Sequence, residues 1–150
     1  MNKKYKKFMR ESNAIEGEIR INPGDMIAVE IMLKGEITEA SILSAHRVLG
    51  EYLNVDWNGK WRECEVRVGS YYPPMAFEVP GLMKKYFKSL PDMDSWEAHN
   101  EFANIHGFQD LNGRMSRLIW LNKAIDEGYD FSIPFLHKYY YQTLQHQNNR

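Results

Sequence analysis

The sequence predicts a mainly α fold, a helical bundle with one small β-hairpin flap. Apolar residues return at three- and four-residue spacing along most of the 150 residues, the signature of helices that each bury one face. One stretch alone, ECEVRVG at 63–69, alternates with period two, and it runs into SYYPP. Proline donates no ladder hydrogen bond, so that strand belongs at an edge or in a hairpin. The length and an apolar share of 43% suit a single domain around one core.

Taken in order, residues 3–16 have helical character, with Phe8, Met9 and Ile15 directed inward. GEIRINPGD at 17–25 is punctuated by glycine and proline and reads as a loop. Met26 to Leu33 reads as a short helix ending at Gly35. Thr38 is placed to cap a longer helix whose stripe is Ile42, Leu43, Val48, Leu49 and Leu53. NVDWNGKW at 54–61 is a turn with Asn58-Gly59 at its tip, followed by the alternating strand with Cys64, Val66 and Val68 half-buried. Helical spacing resumes with Val79, Leu82, Met83, Tyr86, Phe87 and Leu90. Asp94 or Ser95 caps the next helix, which carries Trp96, Phe102 and Ile105. After a turn at 106–112, Met115, Leu118, Ile119 and Ile125 line another, ending near Gly128. Pro134 sits early in a last helix, and QHQNNR frays.

Composition removes several classes of function. The net charge of −1 gives no whole-molecule field for nucleic acid, and no basic recognition helix is present. No window approaches the roughly 18 apolar residues of a membrane span, and MNKKYKKFMR has no apolar segment of a secretory signal; its basic residues read as a solvated helix face. One cysteine, Cys64, allows no internal disulfide and fits a reducing, cytoplasmic setting.

The chemistry concentrates in HGFQDLNGRMSR, His106 to Arg117. Asn112-Gly113 opens a helix whose first amides lack internal partners, and such an end attracts anions. Arg114 and Arg117, three residues apart, project from that same end, and guanidiniums grip phosphate oxygens through paired hydrogen bonds. One carboxylate, Asp110, together with substrate phosphates is how magnesium is commonly held. His106 titrates near neutrality and can take a proton from a hydroxyl. Singly, each has an ordinary reading: a helix-end histidine, a turn aspartate, a solvated arginine face. Together they describe a magnesium-nucleotide site with a base beside it, without a Walker loop.

The conjunction resembles the Fic family motif H-x-F-x-[DE]-G-N-G-R-x-x-R, matched by His106, Phe108, Asp110, Asn112, Gly113, Arg114 and Arg117. At roughly 5% usage per residue type, a chance match is on the order of one in ten million. The resemblance extends loosely over about residues 38–145. It implies a Fic fold and transfer of AMP from ATP to a Ser, Thr or Tyr hydroxyl of a target protein or of the chain itself. His106 would be the base and Asp110 would hold Mg2+. The amides of Asn112 and Gly113, with Arg114 and Arg117, would hold the phosphates, and a buried Phe108 would anchor the loop. Val66, Arg67, Val68 and Gly69 would form a flap edge to which a target segment adds as a strand. Two positions depart from the pattern. Leu111 stands for the motif's first glycine, at a cost of roughly 1–2 kcal/mol if the backbone there is left-handed; Gly107 stands for the usual proline. Alanine at the first of these positions occurs in the related Doc proteins, which transfer phosphate, so a Doc-like phosphotransferase is a competing reading. Leu111 keeps open a catalytically weak nucleotide-binding module, and a de-AMPylase is a third, because in some relatives the glutamate of an N-terminal inhibitory motif orients water to remove AMP.

Near the start, Ser12-x-x-x-Glu16-Gly17 resembles the family's inhibitory motif [ST]-x-x-x-E-[GN]. The resemblance implies that Glu16 pairs with Arg117 and blocks a productive ATP pose. Residues 1–25 are thus expected to form an inhibitory helix and loop, and 26–150 the catalytic core of a single domain; a homodimer is left open.

Overall fold

The computed structural model describes residues 3–129. Six α-helices are found there: α1 Lys3–Ile15, α2 Asp25–Leu33, α3 Glu39–Leu49, α4 Val79–Ser89, α5 Ser95–Ile105 and α6 Asn112–Asp126, with single 3-10 turns at Glu51–Leu53, Ala76–Glu78 and Leu90–Asp92. The last helix expected from the sequence and the terminal QHQNNR lie outside the described residues.

The ends form for local reasons. Thr38 caps α3 reciprocally: its Oγ1 accepts from the Ser41 amide at 3.1 Å, and the Ser41 hydroxyl accepts from the Thr38 amide at 2.9 Å. Asp94, the first of the two candidates, caps α5 by accepting the Glu97 amide at 2.8 Å. α2 stops at Leu33 with Lys34 as its cap, just short of Gly35.

α6 is the central element. It pairs most extensively with α5, as α2 does with α3, while α1 and α2 close over it. Its middle residues Met115, Leu118, Ile119 and Leu121 are fully buried, as befits a helix covered on nearly all sides. Phe8 and Met9 of α1 are buried as expected, and Phe8 stacks on Trp120 at 6.2 Å. The basic residues of α1, Lys3, Lys4, Lys6, Lys7 and Arg10, are exposed. In α3 the buried stripe is Ile42, Ala45, His46 and Leu49, whereas Leu43 and Val48 are only half-buried and Leu53, expected on the same stripe, falls in the 3-10 turn after the helix has ended.

The alternating strand at 63–69 does not form. Cys64 is exposed, and among the described residues the flap's ladder is one antiparallel bridge, Val68 to Tyr71, around Gly69. The acceptors a ladder needs are already engaged. The Cys64 and Pro74 carbonyls accept from the Arg62 guanidinium, and the Gly69 carbonyl accepts from the Arg67 side chain. Pro73 and Pro74 supply no donors. The flap is therefore a hairpin held by side chains.

Candidate active site

The motif lies where α5 ends and α6 begins. α5 terminates on His106, whose backbone is left-handed at φ 52° and ψ 54°. The chain then passes through Phe108, which is fully buried and stacked between the His46 ring at 3.6 Å and the Trp61 ring at 4.6 Å. Asn112 closes the loop from the other side. Its Oδ1 accepts the Phe108 amide at 2.9 Å and its Nδ2 donates to the Phe108 carbonyl at 2.8 Å. Leu111 precedes α6 with φ 69° and ψ 16°. The position does require the left-handed conformation, and leucine adopts it.

His106, Asp110, Asn112, Gly113, Arg114 and Arg117 all line one cavity of about 450 Å³, together with Glu16, Tyr52, Val68 and Tyr71. The cavity floor is the start of α6, where the first amides have no intrahelical acceptor. A side chain at position 113 would intrude there: a Cβ on Gly113 would lie 2.5 Å from Glu16 Oε1 and 3.2 Å from Arg117 Nη1. Burial holds the His106 imidazole below its usual pKa, and the Arg62 guanidinium pushes it the same way. A hydrogen bond with the Ala103 backbone and the charge of Asp110 oppose them. A neutral imidazole is the form that can accept a proton.

Both motif arginines are buried and engaged with the N-terminal segment. Arg117 Nε donates to the Ser12 hydroxyl at 2.6 Å and Nη2 to the Ser12 carbonyl at 3.0 Å; Nη2 also meets the Glu16 carboxylate in a close ion pair. Glu16 stands just beyond the last residue of α1. Arg114 donates to the Tyr52 hydroxyl at 3.0 Å, lies 4.0 Å from Glu16, and keeps a buried Nε without a hydrogen-bond acceptor.

Magnesium and nucleotide phosphate fit these residues. No group of three or more His, Cys, Asp or Glu side chains capable of holding a metal exists among the described residues, so any ion here would rely on Asp110 and on oxygens from its ligand, the usual magnesium arrangement. Arg114 Nε, which has no hydrogen-bond acceptor, the first amides of α6 and the side-chain-free Gly113 form a cradle for an anion.

Two residues of this region carry no motif signal. His46 on α3 is fully buried. Its Nδ1 accepts the Gly59 amide at 2.9 Å, which places the proton on Nε2, donated to the Asp110 carbonyl at 3.0 Å. Arg62 binds the end of α5. Nothing in local spacing ties either to the motif, because the carbonyls they meet there, Asp110 for His46 and His106 for Arg62, lie more than forty residues away in sequence. Of the flap residues, Val68 reaches the cavity, and Arg67 lies on the outside over the Tyr72 ring.

The Fic/DOC family signature matches residues 36–122. Proteins named protein adenylyltransferase Fic from Drosophila ananassae and Culex quinquefasciatus are each 33% identical to this chain, over 113 and 117 residues, 69% of its length. The chain spans less than a quarter of those relatives, 22% and 23%. Among solved structures, a Fic family protein from Desulfovibrio desulfuricans G20 superimposes with a TM-score of 0.70 at 24% identity, covering 86% of this chain and 50% of that one. A Fic domain containing signaling protein from Bacteroides thetaiotaomicron gives 0.69 at 19%, covering 90% and 68%. These two likenesses concern the fold. The family signature takes in more than half of the chain, from the approach to α3 to the body of α6, with the left-handed turn of His106 inside it; the chain belongs to the Fic/DOC family.

Proposed function

We propose that this chain transfers AMP from ATP to a hydroxyl side chain of a protein, and that its own N-terminal segment holds that activity down. The observation that carries the proposal is the meeting, in one cavity, of His106, Asp110, the start of α6 and two arginines, one of them paired with Glu16. The names of the relatives point the same way.

In this reading the neutral His106 takes the proton of the incoming hydroxyl. The alcohol oxygen attacks the α-phosphorus, the bond to the bridging oxygen of the β-phosphate breaks, and pyrophosphate leaves. The free amides of α6 and Arg114 hold phosphate oxygens, so the protein contributes position and charge and forms no covalent bond itself. Magnesium held by Asp110 would neutralise phosphate charge. A target segment running along the flap near Val68 would bring its hydroxyl to His106.

Glu16 supports the regulatory half. While its carboxylate holds Arg117, that guanidinium is withheld from the outermost phosphate, and Ser12 fixes the same side chain in place. The setting we propose is the cytoplasm, where the exposed thiol of Cys64 stays reduced.

The test is intact-mass analysis after incubation with ATP and magnesium. Glu16→Gly should gain the mass of one AMP or more while the unaltered chain gains little, and Glu16→Gly with His106→Ala should gain none. ATP labelled at the α-phosphorus should mark the product. Label arriving only from the γ-phosphorus would replace this reading with phosphate transfer, the Doc-like alternative.

A further inference from the structure

The proposed mechanism assigns no task to Arg62, whose side chain has no exposed surface. Enclosing a guanidinium is costly unless its donors are met, and here they are met almost wholly by backbone. Nε donates to the His106 carbonyl at 2.6 Å, and Nη2 to Ile105 at 3.3 Å and Pro74 at 2.6 Å; Nη1 donates to Cys64 at 3.1 Å. The Arg62 amide adds a bond to the Gly107 carbonyl at 2.8 Å. Three acceptors thus belong to the end of α5 and the turn after it, and two to the opposite legs of the flap.

Each group of partners needs such a donor. The last carbonyls of α5 have no intrahelical amide to accept from and carry the negative end of the helix dipole. His106 is a non-glycine residue in the left-handed region, a conformation that persists only where the surroundings impose it. The flap, with one bridge, has little ladder of its own. Glu65 completes the tie: it lies 3.9 Å from Arg62 and accepts the Ala76 amide at 2.7 Å.

We propose that Arg62 is a positioning residue for the transfer, one guanidinium that locks both legs of the flap to the turn presenting His106, so that acceptor and base keep a fixed relation. The role rests on the function proposed above, since it presumes that the flap carries the acceptor. Lysine keeps the charge but presents a single nitrogen, too compact to span four carbonyls in two directions. Glutamine loses both charge and reach.

The experiment compares Arg62→Lys and Arg62→Gln in the Glu16→Gly chain, with self-labelling by ATP as the probe reaction. The rate at saturating ATP should fall at least tenfold in both, while the ATP concentration giving half that rate stays within twofold. Amides of residues 63–76 should exchange with solvent faster in both. The pKa of His106, followed by its ring proton resonance, should rise in Arg62→Gln and hold in Arg62→Lys. Two charges act on that ring, Arg62 and Asp110, and only the first is altered. A parent that labels nothing overturns the AMP-transfer reading and leaves exchange and resonance to decide the tie. Variants that lose melting temperature yet keep their rate per folded molecule and an unmoved His106 resonance would reduce Arg62 to a stability residue and overturn the proposal. Should neither variant fold, the parent decides: the Arg62 amide must exchange as slowly as those of α5, and fast exchange there overturns it.

Discussion

Leu111 holds a backbone angle that glycine would adopt freely, and its side chain shows why the molecule tolerates it. The residue is 6% exposed and packs into the core against Gly50. The left-handed conformation costs about 1–2 kcal/mol for a residue with a Cβ, and burying a leucine returns about 1.5–3 kcal/mol. The two nearly offset, so the turn keeps its shape without glycine. At an ordinary buried position, alanine is the gentler replacement for leucine and glycine the harsher. Here the order should reverse. Leu111→Ala loses the packing and keeps the strain, whereas Leu111→Gly sheds the strain. Urea unfolding should find the glycine variant the more stable of the two by about 1 kcal/mol; an alanine variant equal or better would show that the backbone is not held left-handed.

Among the elements, α1 shows how the segment proposed to hold the activity down is fastened to the rest of the fold. Its last turn is anchored by Asn13 and Asp25. Asn13 Nδ2 donates to the buried Asp25 carboxylate at 2.8 Å and to the Arg20 carbonyl at 2.9 Å, and the Asn22 amide donates to the same Asp25 oxygen at 2.8 Å. Burial raises the Asp25 pKa, and the donors from Asn13 and Asn22 pull it back. This network sits beside Ser12, so it fixes the end of α1 that reaches Arg117. Asn13→Ala leaves a buried carboxylate short of a donor, at a cost of about 1–3 kcal/mol. In the otherwise unaltered chain it should raise self-labelling to a level between wild type and Glu16→Gly. Faster exchange of α1 amides with no gain in labelling would separate this anchor from the proposed inhibition. The flap shows the opposite relation of element to sequence. Its period-two pattern is genuine, but Arg62 and Arg67 divert the carbonyls that a ladder would use, and the pattern yields a single bridge.

At the level of the whole molecule, the fold encloses histidines that its unfolded chain would leave in water. His46 and His99 are both fully buried, and burial lowers each to a pKa of about 4 against the ordinary 6.5. Between those values the unfolded chain binds more protons than the folded one, so stability is complete above the unfolded pKa and falls as pH drops toward the folded value. At pH 5 each site removes roughly 2 kcal/mol relative to neutrality. Asp25, whose pKa is raised, acts in the opposite sense at lower pH. The melting temperature should therefore fall by about 10 °C between pH 7 and pH 5. His46 should contribute through loss of its Nδ1 contact to the Gly59 amide, and a flat profile would mean that water reaches these rings. In the same described residues no helix is long and apolar enough to cross a membrane.

How much of this was legible in the sequence follows the range of the interactions. Helix positions came through because amphipathic spacing and caps such as Thr38 and Asp94 act within four residues. The motif His106 to Arg117 was readable because its members share one turn and the first turns of one helix, so their spacing in sequence is their spacing in space. The contact of Ser12 and Glu16 with Arg117, more than a hundred residues away, was legible only through likeness to a known pattern. His46 beneath Phe108, Arg62 across the flap, and the left-handed backbone of Leu111 were decided by packing alone. By itself the sequence determined the helices and the chemical groups at the turn, since both are set by local geometry. Only the tertiary structure decided which buried side chains hold that turn in shape, because a backbone carbonyl carries no mark in the sequence of the distant donor that will find it.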